Sequence, residues 1–208
     1  NCTHIVKMRA IERALRRADV PVAYSHGFNP SMKLSFCPPL PLGFTSEAEY
    51  VDITLKVTLM PYMIDSLKMA MPPGLDILEA GVVVAKKQSL SAALNRAVYL
   101  LSLDNIKAGP DLSARLEVIM NADNLEIERQ TKGKIRSVDI RPAIYDMTIC
   151  ENDLQMVLGI GDGGYVRPTE VAKLLFDEGS DETGFLPFHR QDLYRYDNDG
   201  KIIRAMDL

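Results

Sequence analysis

Histidine is the side chain that changes charge near neutral pH, so acid–base chemistry in this sequence would start from His4, His26 and His189. His4 shares a helical face with Met8 and Ile11, which predicts a partly buried histidine at a helix start. His26 sits beside Tyr24 and Ser25, ahead of the loop Gly27-Phe-Asn-Pro30, and loops on rigid scaffolds often carry function. His26 and Tyr24 are therefore the catalytic candidates, with His4 behind them. No metal-ligand spacing joins the three histidines. Cys2, Cys37 and Cys150 lie far apart without a C-x-x-C pair, so neither a metal site nor a cofactor is expected. Three unpaired cysteines also fit a reducing cytoplasm.

Arginine and lysine suggest a different chemistry. Arg9, Arg13, Arg16 and Arg17 recur along one stretch, and guanidinium forks match phosphate oxygens in pairs. Such a stripe is a phosphate-binding surface or a plain solvated helix face. Lys33 follows the Gly27–Pro30 loop, and Phe28, Asn29 and Tyr24 add stacking and hydrogen-bonding groups, the mixture that single-stranded RNA recognition uses. A second basic segment holds Arg129, Lys132, Lys134, Arg136 and Arg141. The expected nucleic-acid contacts are Arg9, Arg13, Arg16, Arg17, Phe28, Asn29, Lys33, Lys132, Lys134, Arg136 and Arg141. Were the two halves of the chain related by a pseudo-two-fold, the basic segments would occupy equivalent places flanking one cleft.

Two weaker signals each have an ordinary structural reading beside the chemical one. Asp52 and Asp139 each sit in a Val-Asp-Ile triplet, as a carboxylate pair would, or as sheet aspartates paired with a nearby Arg141. Gly161-Asp-Gly-Gly164 before Arg167-Pro168 has the look of a phosphate cradle but lacks a P-loop lysine, and reads as a turn.

The averages conceal this patterning. The chain has 208 residues, 47% hydrophobic and 25% charged, with a net charge of −4, proportions of a folded globular protein. Residues 1–35 carry six basic residues against two acidic ones, and residues 129–141 five against one, so each segment is +4 and the remainder is −12. Charged residues interrupt every apolar run short of a membrane span. The chain opens on Asn without a signal-peptide core, which suggests a ragged edge of a longer polypeptide.

Helical spacing of Ile5, Met8, Ile11 and Leu15 predicts an amphipathic helix over 4–18, stopped by Pro21. Extended segments are expected at 20–25, 33–36, 49–57 and 75–85, and a second helix over 60–71 with Pro61 in its first turn. The stretch 86–91 reads as a linker. Further along, a strand over 98–103, a helix from an Asp111 cap to Ala122, a strand over 125–130 and a turn at Gly133 are expected. A strand over 137–149 broken at Pro142, its hairpin partner over 153–160, a helix over 168–176 and strands at 193–196 and near Ile203 complete the reading. The fold class is α+β, two tandem ferredoxin-like halves, 1–88 and 95–208, the second with an extra hairpin. A helix cannot begin such a half, so its first strand is expected upstream of Asn1.

Arg9-Ala-Ile-Glu-Arg-Ala-Leu-Arg-Arg-Ala18, Val20-Pro-Val-Ala-Tyr-Ser25, Gly27-Phe-Asn-Pro30, Lys33-Leu-Ser-Phe36, Pro39-Leu-Pro-Leu-Gly43 and Ser46-Glu-Ala-Glu-Tyr-Val-Asp52 closely resemble the radical-SAM-linked family, a domain of unknown function. Lys132-Gly-Lys134, Val138-Asp-Ile-Arg-Pro142 and Arg167-Pro168 agree with it. Two positions depart: Thr3-His-Ile-Val6 stands where the family has Ser-His-Leu-Asp, and Ser31-Met32 where it has His-Pro. The resemblance implies a cobalamin-binding radical SAM protein as partner, fused or encoded nearby. This chain lacks the cysteine cluster of the radical enzyme itself. The expectation is a cytoplasmic accessory domain, not an enzyme on its own, that binds tRNA or rRNA. A metal-independent endoribonuclease like the CRISPR repeat-processing enzymes, by fold analogy, or a protein-docking domain are the alternatives.

Overall fold

The computed structural model describes residues 4–83, 88–104, 106, 111–131, 133–161, 164–176 and 186–208. In chain order the elements are α1 (His4–Arg17), β1 (Leu34–Phe36), β2 (Thr45–Ser46), β3 (Val51–Ile53), α2 (Pro61–Ala70), α3 (Leu90–Ala93), β4 (Arg96–Ser102), α4 (Leu112–Asn121), β5 (Glu126–Thr131), β6 (Lys134–Asp139), β7 (Ile144–Cys150), β8 (Asp153–Gly161), β9 (Gly164–Tyr165), α5 (Pro168–Leu175), β10 (Phe188–Tyr196) and β11 (Ile202–Arg204). The fold class is α+β. Among the described residues no helix is long and apolar enough to cross a membrane. Two compact units share the chain: residues 1–42, 49–93 and 206–208 form one, residues 43–48 and 94–205 the other.

In the first unit, the 3.6-residue period of α1 buries Ala14 and Leu15. Leu15, Val22 and Met32 form the core, and Ile11, Val20, Leu34, Ile53, Leu55 and Leu67 pack around it. Ile5, expected on the same face, is 61% exposed. Six residues before Ile11, it points about 120° away from it. The helix ends at Arg17, Asp19 turns left-handed with φ 51°, and Pro21 follows. β1 and β3 pair antiparallel, Leu34 opposite Ile53 and Phe36 opposite Val51. The 20–25 stretch joins them as short bridges, Val22 to Leu55 and Tyr24 to Met32, with the Ala23 N–H donating to the Thr54 carbonyl at 2.7 Å, rather than as a full strand. α2 has Pro61 in its first turn and buries Met63. The strand expected over 75–85 is absent from 75–83, and 84–85 lie outside the described residues. Strand-forming composition does not by itself make a strand, because strand preference is expressed through pairing, and among the described residues no strand ladder runs along 75–83.

In the second unit, an antiparallel sheet runs β11-β10-β4-β8-β7, β2 adds in parallel to β10, and β5 and β6 form a separate hairpin. The four strands β4, β7, β8 and β10, numbered by chain order, lie as 4-1-3-2, the arrangement of a split βαβ unit. Alternate residues of β4 (Ala97, Tyr99, Leu101) and β8 (Leu154, Met156, Leu158) are buried, as are Leu112, Leu116 and Ile119 of α4 and Val171, Ala172 and Leu175 of α5. The Arg115 guanidinium donates to the Leu175 carbonyl at 2.9 Å and ties α4 to the end of α5. The chain breaks at Pro142 in a single 3-10 turn, Arg141–Ala143, between β6 and β7. Asp111 precedes α4, but its side chain makes no capping hydrogen bond there, with φ −97° and ψ 12°. β10 begins five residues before the expected 193, at Phe188.

Candidate nucleic-acid interface

α1 presents its arginines to solvent because its apolar side faces the core. Arg9, Arg13, Arg16 and Arg17 are all exposed. At about 100° per residue, Arg9, Arg13 and Arg16 fall on the side opposite Ile11. Arg16 lies 3.9 Å from Glu12 one turn earlier, and Arg17 donates to the Ala70 carbonyl at the end of α2. Among the described residues Arg9 and Arg13 have no ion-pair partner. On α1 they are the two guanidiniums left to meet an anion.

The Gly27–Pro30 loop is the tip of a closed hairpin. The Ser25 N–H donates to the Ser31 carbonyl at 2.8 Å, the Ser31 N–H donates to Ser25 Oγ at 3.0 Å, and the two hydroxyls lie 3.2 Å apart. Gly27 has φ 130°, a conformation that L side chains rarely adopt. His26, Phe28 and Asn29 are all exposed, and Phe28 makes no side-chain burial at all. Below the tip, Lys56 Nζ stands 5.6 Å from the centre of the Tyr24 ring. Lys33 keeps its side chain in solvent while its N–H donates to the Ala23 carbonyl at 2.8 Å. Arg9, Arg13, Phe28, Asn29 and Lys33 thus belong to one unit and are exposed on it.

The second basic segment divides by role. Lys134 and Arg136 are exposed on β6, and Lys132 lies outside the described residues. Arg141 is committed to backbone: its guanidinium donates to the Ile144 carbonyl at 2.8 Å and the Met120 carbonyl at 2.6 Å, closing the end of α4. Asp139 Oδ1 accepts from the Leu125 N–H at 2.8 Å and the Arg141 N–H at 3.0 Å, so it organises the turn after β6 through amides and not through the arginine head group. Asp52 is half-buried on β3 in the first unit, while Asp139 is exposed in the second.

His4 is half-buried, its ring edge-on to Phe36 at 5.7 Å, as a helix-start histidine would be. His189 is not a lone residue. Its Nδ1 lies 2.9 Å from Thr45 Oγ1 and its Nε2 3.6 Å from Glu47, so it fastens the 43–48 strap along β10. Two residues of β2 carry too little periodicity to be read as a strand.

Arg129, Tyr165, Arg167 and Glu170 form a polar cluster, and sequence reasoning left all four off the list of site residues. Arg129 Nε donates to Glu170 Oε1 at 2.8 Å and Nη2 to Oε2 at 2.6 Å; Nη2 also reaches the Tyr165 carbonyl at 2.9 Å. Glu170 Oε2 accepts from the Arg167 N–H at 2.8 Å, the reach-back of a capping box. Burial raises the Glu170 carboxyl, but hydrogen bonds from Arg129 and the Arg167 N–H, with the charges of both guanidiniums, outweigh it and hold the carboxyl below its usual range. A hydrogen bond and charge from Tyr165 raise Arg167 further. The Arg167 amide before α5 therefore already faces a carboxylate; residues 162 and 163 of the Gly161–Gly164 run lie outside the described residues. The three-residue spacing of Arg167 and Glu170 was the available signal, with arginine where Ser or Thr would have announced a capping box.

Among the described residues no group of three or more His, Cys, Asp or Glu side chains is placed to hold a metal ion. A family model described as an uncharacterized protein conserved in bacteria (DUF2344) matches residues 2–168. No curated protein and no solved structure matches the chain.

Proposed function

The chain belongs to this uncharacterised family conserved in bacteria, and from that premise we propose that it is an accessory domain that binds RNA, tRNA or rRNA, and works beside a cobalamin-binding radical SAM protein. The observation that carries the RNA reading is the solvent face of α1, where among the described residues Arg9 and Arg13 have no anion to neutralise them. A guanidinium kept free of carboxylates retains its full capacity to displace counterions from phosphate. Fully exposed Phe28 and neighbouring Asn29, on a hairpin held shut by Ser25 and Ser31, supply a stacking face and an amide for an unpaired base. Because the tip is preorganised, little conformational entropy remains to be lost when a base stacks on it.

Lys33, Lys134 and Arg136 extend the proposed contacts as exposed cations. Arg141 is set apart from them by its two bonds to backbone carbonyls. The radical SAM half of the proposal rests on the resemblance of residues 9–52 to the radical-SAM-linked family. Chemistry at the radical centre would belong to the partner, with this chain presenting the substrate.

Fluorescence anisotropy with a labelled single-stranded RNA and a labelled tRNA tests the binding. Affinity should fall steeply between 50 mM and 200 mM salt. Failure of both probes to bind at 50 mM salt would remove the RNA reading. Cleavage of the probe that disappears in His26→Ala while binding persists would replace it with the endoribonuclease reading.

A further inference from the structure

We infer that one face of the second unit's sheet is a platform for an unpaired nucleobase carrying an exocyclic amino group, laid over Val98 and Val157 with its amino group on Asp146 and its carbonyl on Arg96. The inference rests on the RNA reading above and adds which bases that RNA presents. Side chains alternate along a strand, so the register fixes which of them share a face. Ala97, Tyr99 and Leu101 of β4 are buried on one side, and half-buried Arg96 and Val98 point to the other. Across the strands Asp192, Val98, Val157 and Asp146 then form one row of that second face. Tyr194, Arg96 and Gly159 form the next.

The Arg96 guanidinium is fixed before any ligand arrives. Its central carbon stands 3.4 Å from the centre of the Tyr145 ring, a stacked cation–π contact, and 5.6 Å from the centre of the Tyr196 ring. Opposite Arg96 the neighbouring strand carries Gly159, which puts no side chain between guanidinium and ring. Asn95 clamps the start of β4 to the end of β10: its Oδ1 accepts from the Tyr196 N–H at 2.8 Å and its Nδ2 donates to the Tyr196 carbonyl at 2.9 Å. Arg96 Nη1 donates to the Asn95 carbonyl at 3.0 Å. A guanidinium stacked in this way presents its other N–H groups in the plane of the fork, where a carbonyl oxygen accepts them.

Asp146 supplies the complementary group. It is exposed, and among the described residues its carboxylate has no hydrogen bond or ion pair. Asp192, at the far end of the row, already accepts from the Leu193 N–H at 2.7 Å. Burial raises the Tyr194 hydroxyl above its usual range; the Arg96 charge opposes the rise and the Asp192 and Asp146 charges add to it, so both carboxylates are felt across the middle of the face. Two carboxylates repel a phosphate and keep a nucleic-acid backbone off this row, whereas an amino group donates to them. An apolar floor with a carboxylate and a guanidinium beside it matches a flat ring with a donor and an acceptor on its edge. Cytosine has both groups, and uracil has a carbonyl where cytosine has its amino group.

Fluorescence anisotropy with labelled oligocytidine and oligouridine of equal length tests this, with labelled tRNA beside them. Stacking on Phe28 tolerates any base, so the ratio of the two affinities reports the sheet. The wild type should bind oligocytidine about tenfold more tightly than oligouridine. Asp146→Ala changes an exposed side chain, and should bring the ratio close to one by weakening oligocytidine alone. Arg96→Lys keeps the charge but loses the stacked fork, and should weaken both oligomers alike. Equal affinities in the wild type would overturn the inference, as would a preference that survives Asp146→Ala. Binding of tRNA without either oligomer would overturn the platform and leave the RNA reading standing; binding of none of the three would remove that reading and the platform with it.

Discussion

Arg129 and Glu170 form a two-point ion pair, Nε to Oε1 at 2.8 Å and Nη2 to Oε2 at 2.6 Å, that joins β5 to the first turn of α5. Among the described residues β5 pairs with β6 alone, outside the main sheet, so the hairpin's attachment depends on side chains such as these. Arg129→Ala strips a largely buried carboxylate of its main partner. The loss should be about 2 kcal/mol, below the figure for a fully buried pair because Glu170 keeps the Arg167 N–H. Arg129→Lys should recover little of it, since one ammonium cannot span both oxygens. Urea unfolding at pH 7 reads both.

The same pair sets an acid limit. Glu170 titrates below its ordinary value of 4.5 in the folded chain, so the unfolded chain takes up the proton first as pH falls. Its contribution is complete above the ordinary carboxylate range and is lost as pH drops below 4.5 through the depressed folded value. Comparing urea midpoints at pH 7 and pH 3.5 for wild type and Glu170→Gln checks the sign: the wild type should lose more of its stability between these pH values than Glu170→Gln. An equal loss in both would count against the assignment.

Phe28 and Arg141 should separate binding from folding. Phe28→Ala removes a ring that touches nothing in the folded chain, so unfolding should not move while RNA affinity drops by about 1–3 kcal/mol, the usual worth of a stacked base. Arg141→Ala should do the reverse: two carbonyls lose their donor at a cost of about 1–3 kcal/mol, and the folded fraction keeps its RNA affinity. Thermal melts and anisotropy on the same preparations give both quantities.

Long elements with an internal period were legible in the sequence. Ile11 and Leu15 announced α1, Leu112, Leu116 and Ile119 announced α4, and Pro142 marked a real break, because each signal is local. The strand expected at 75–85 failed over 75–83 for the opposite reason: composition expresses a capacity to pair, and pairing needs a second strand. Arg141 illustrates the limit for the site. Its charge placed it with Lys134 and Arg136, yet carbonyls 3 and 21 residues away decide its role. Glu170, the partner of Arg129, is likewise 41 residues distant, and no spacing in the chain encodes that meeting.

Gly159 and Gly164 give the sharpest steric prediction. β8 and β9 fold back so closely that a Cβ on Gly159 would stand 2.5 Å from the Gly164 carbonyl oxygen and 3.3 Å from Ala143 Cβ. Gly164 has φ 127°, and a Cβ there would meet Ala143 Cβ at 3.0 Å. The obstacle at Gly159 is backbone, which cannot swing aside as a flexible side chain would. Gly159→Ala must therefore separate β9 from β8 or shift the turn at Ala143, and overpacking of this kind costs about 1–3 kcal/mol. β9 leads directly to Arg167 and the start of α5, so the displacement should also loosen the Arg129–Glu170 pair. The double variant Gly159→Ala with Arg129→Ala should then lose less stability than the two single losses combined, by urea unfolding. Strict additivity would show that β9 moves without carrying α5.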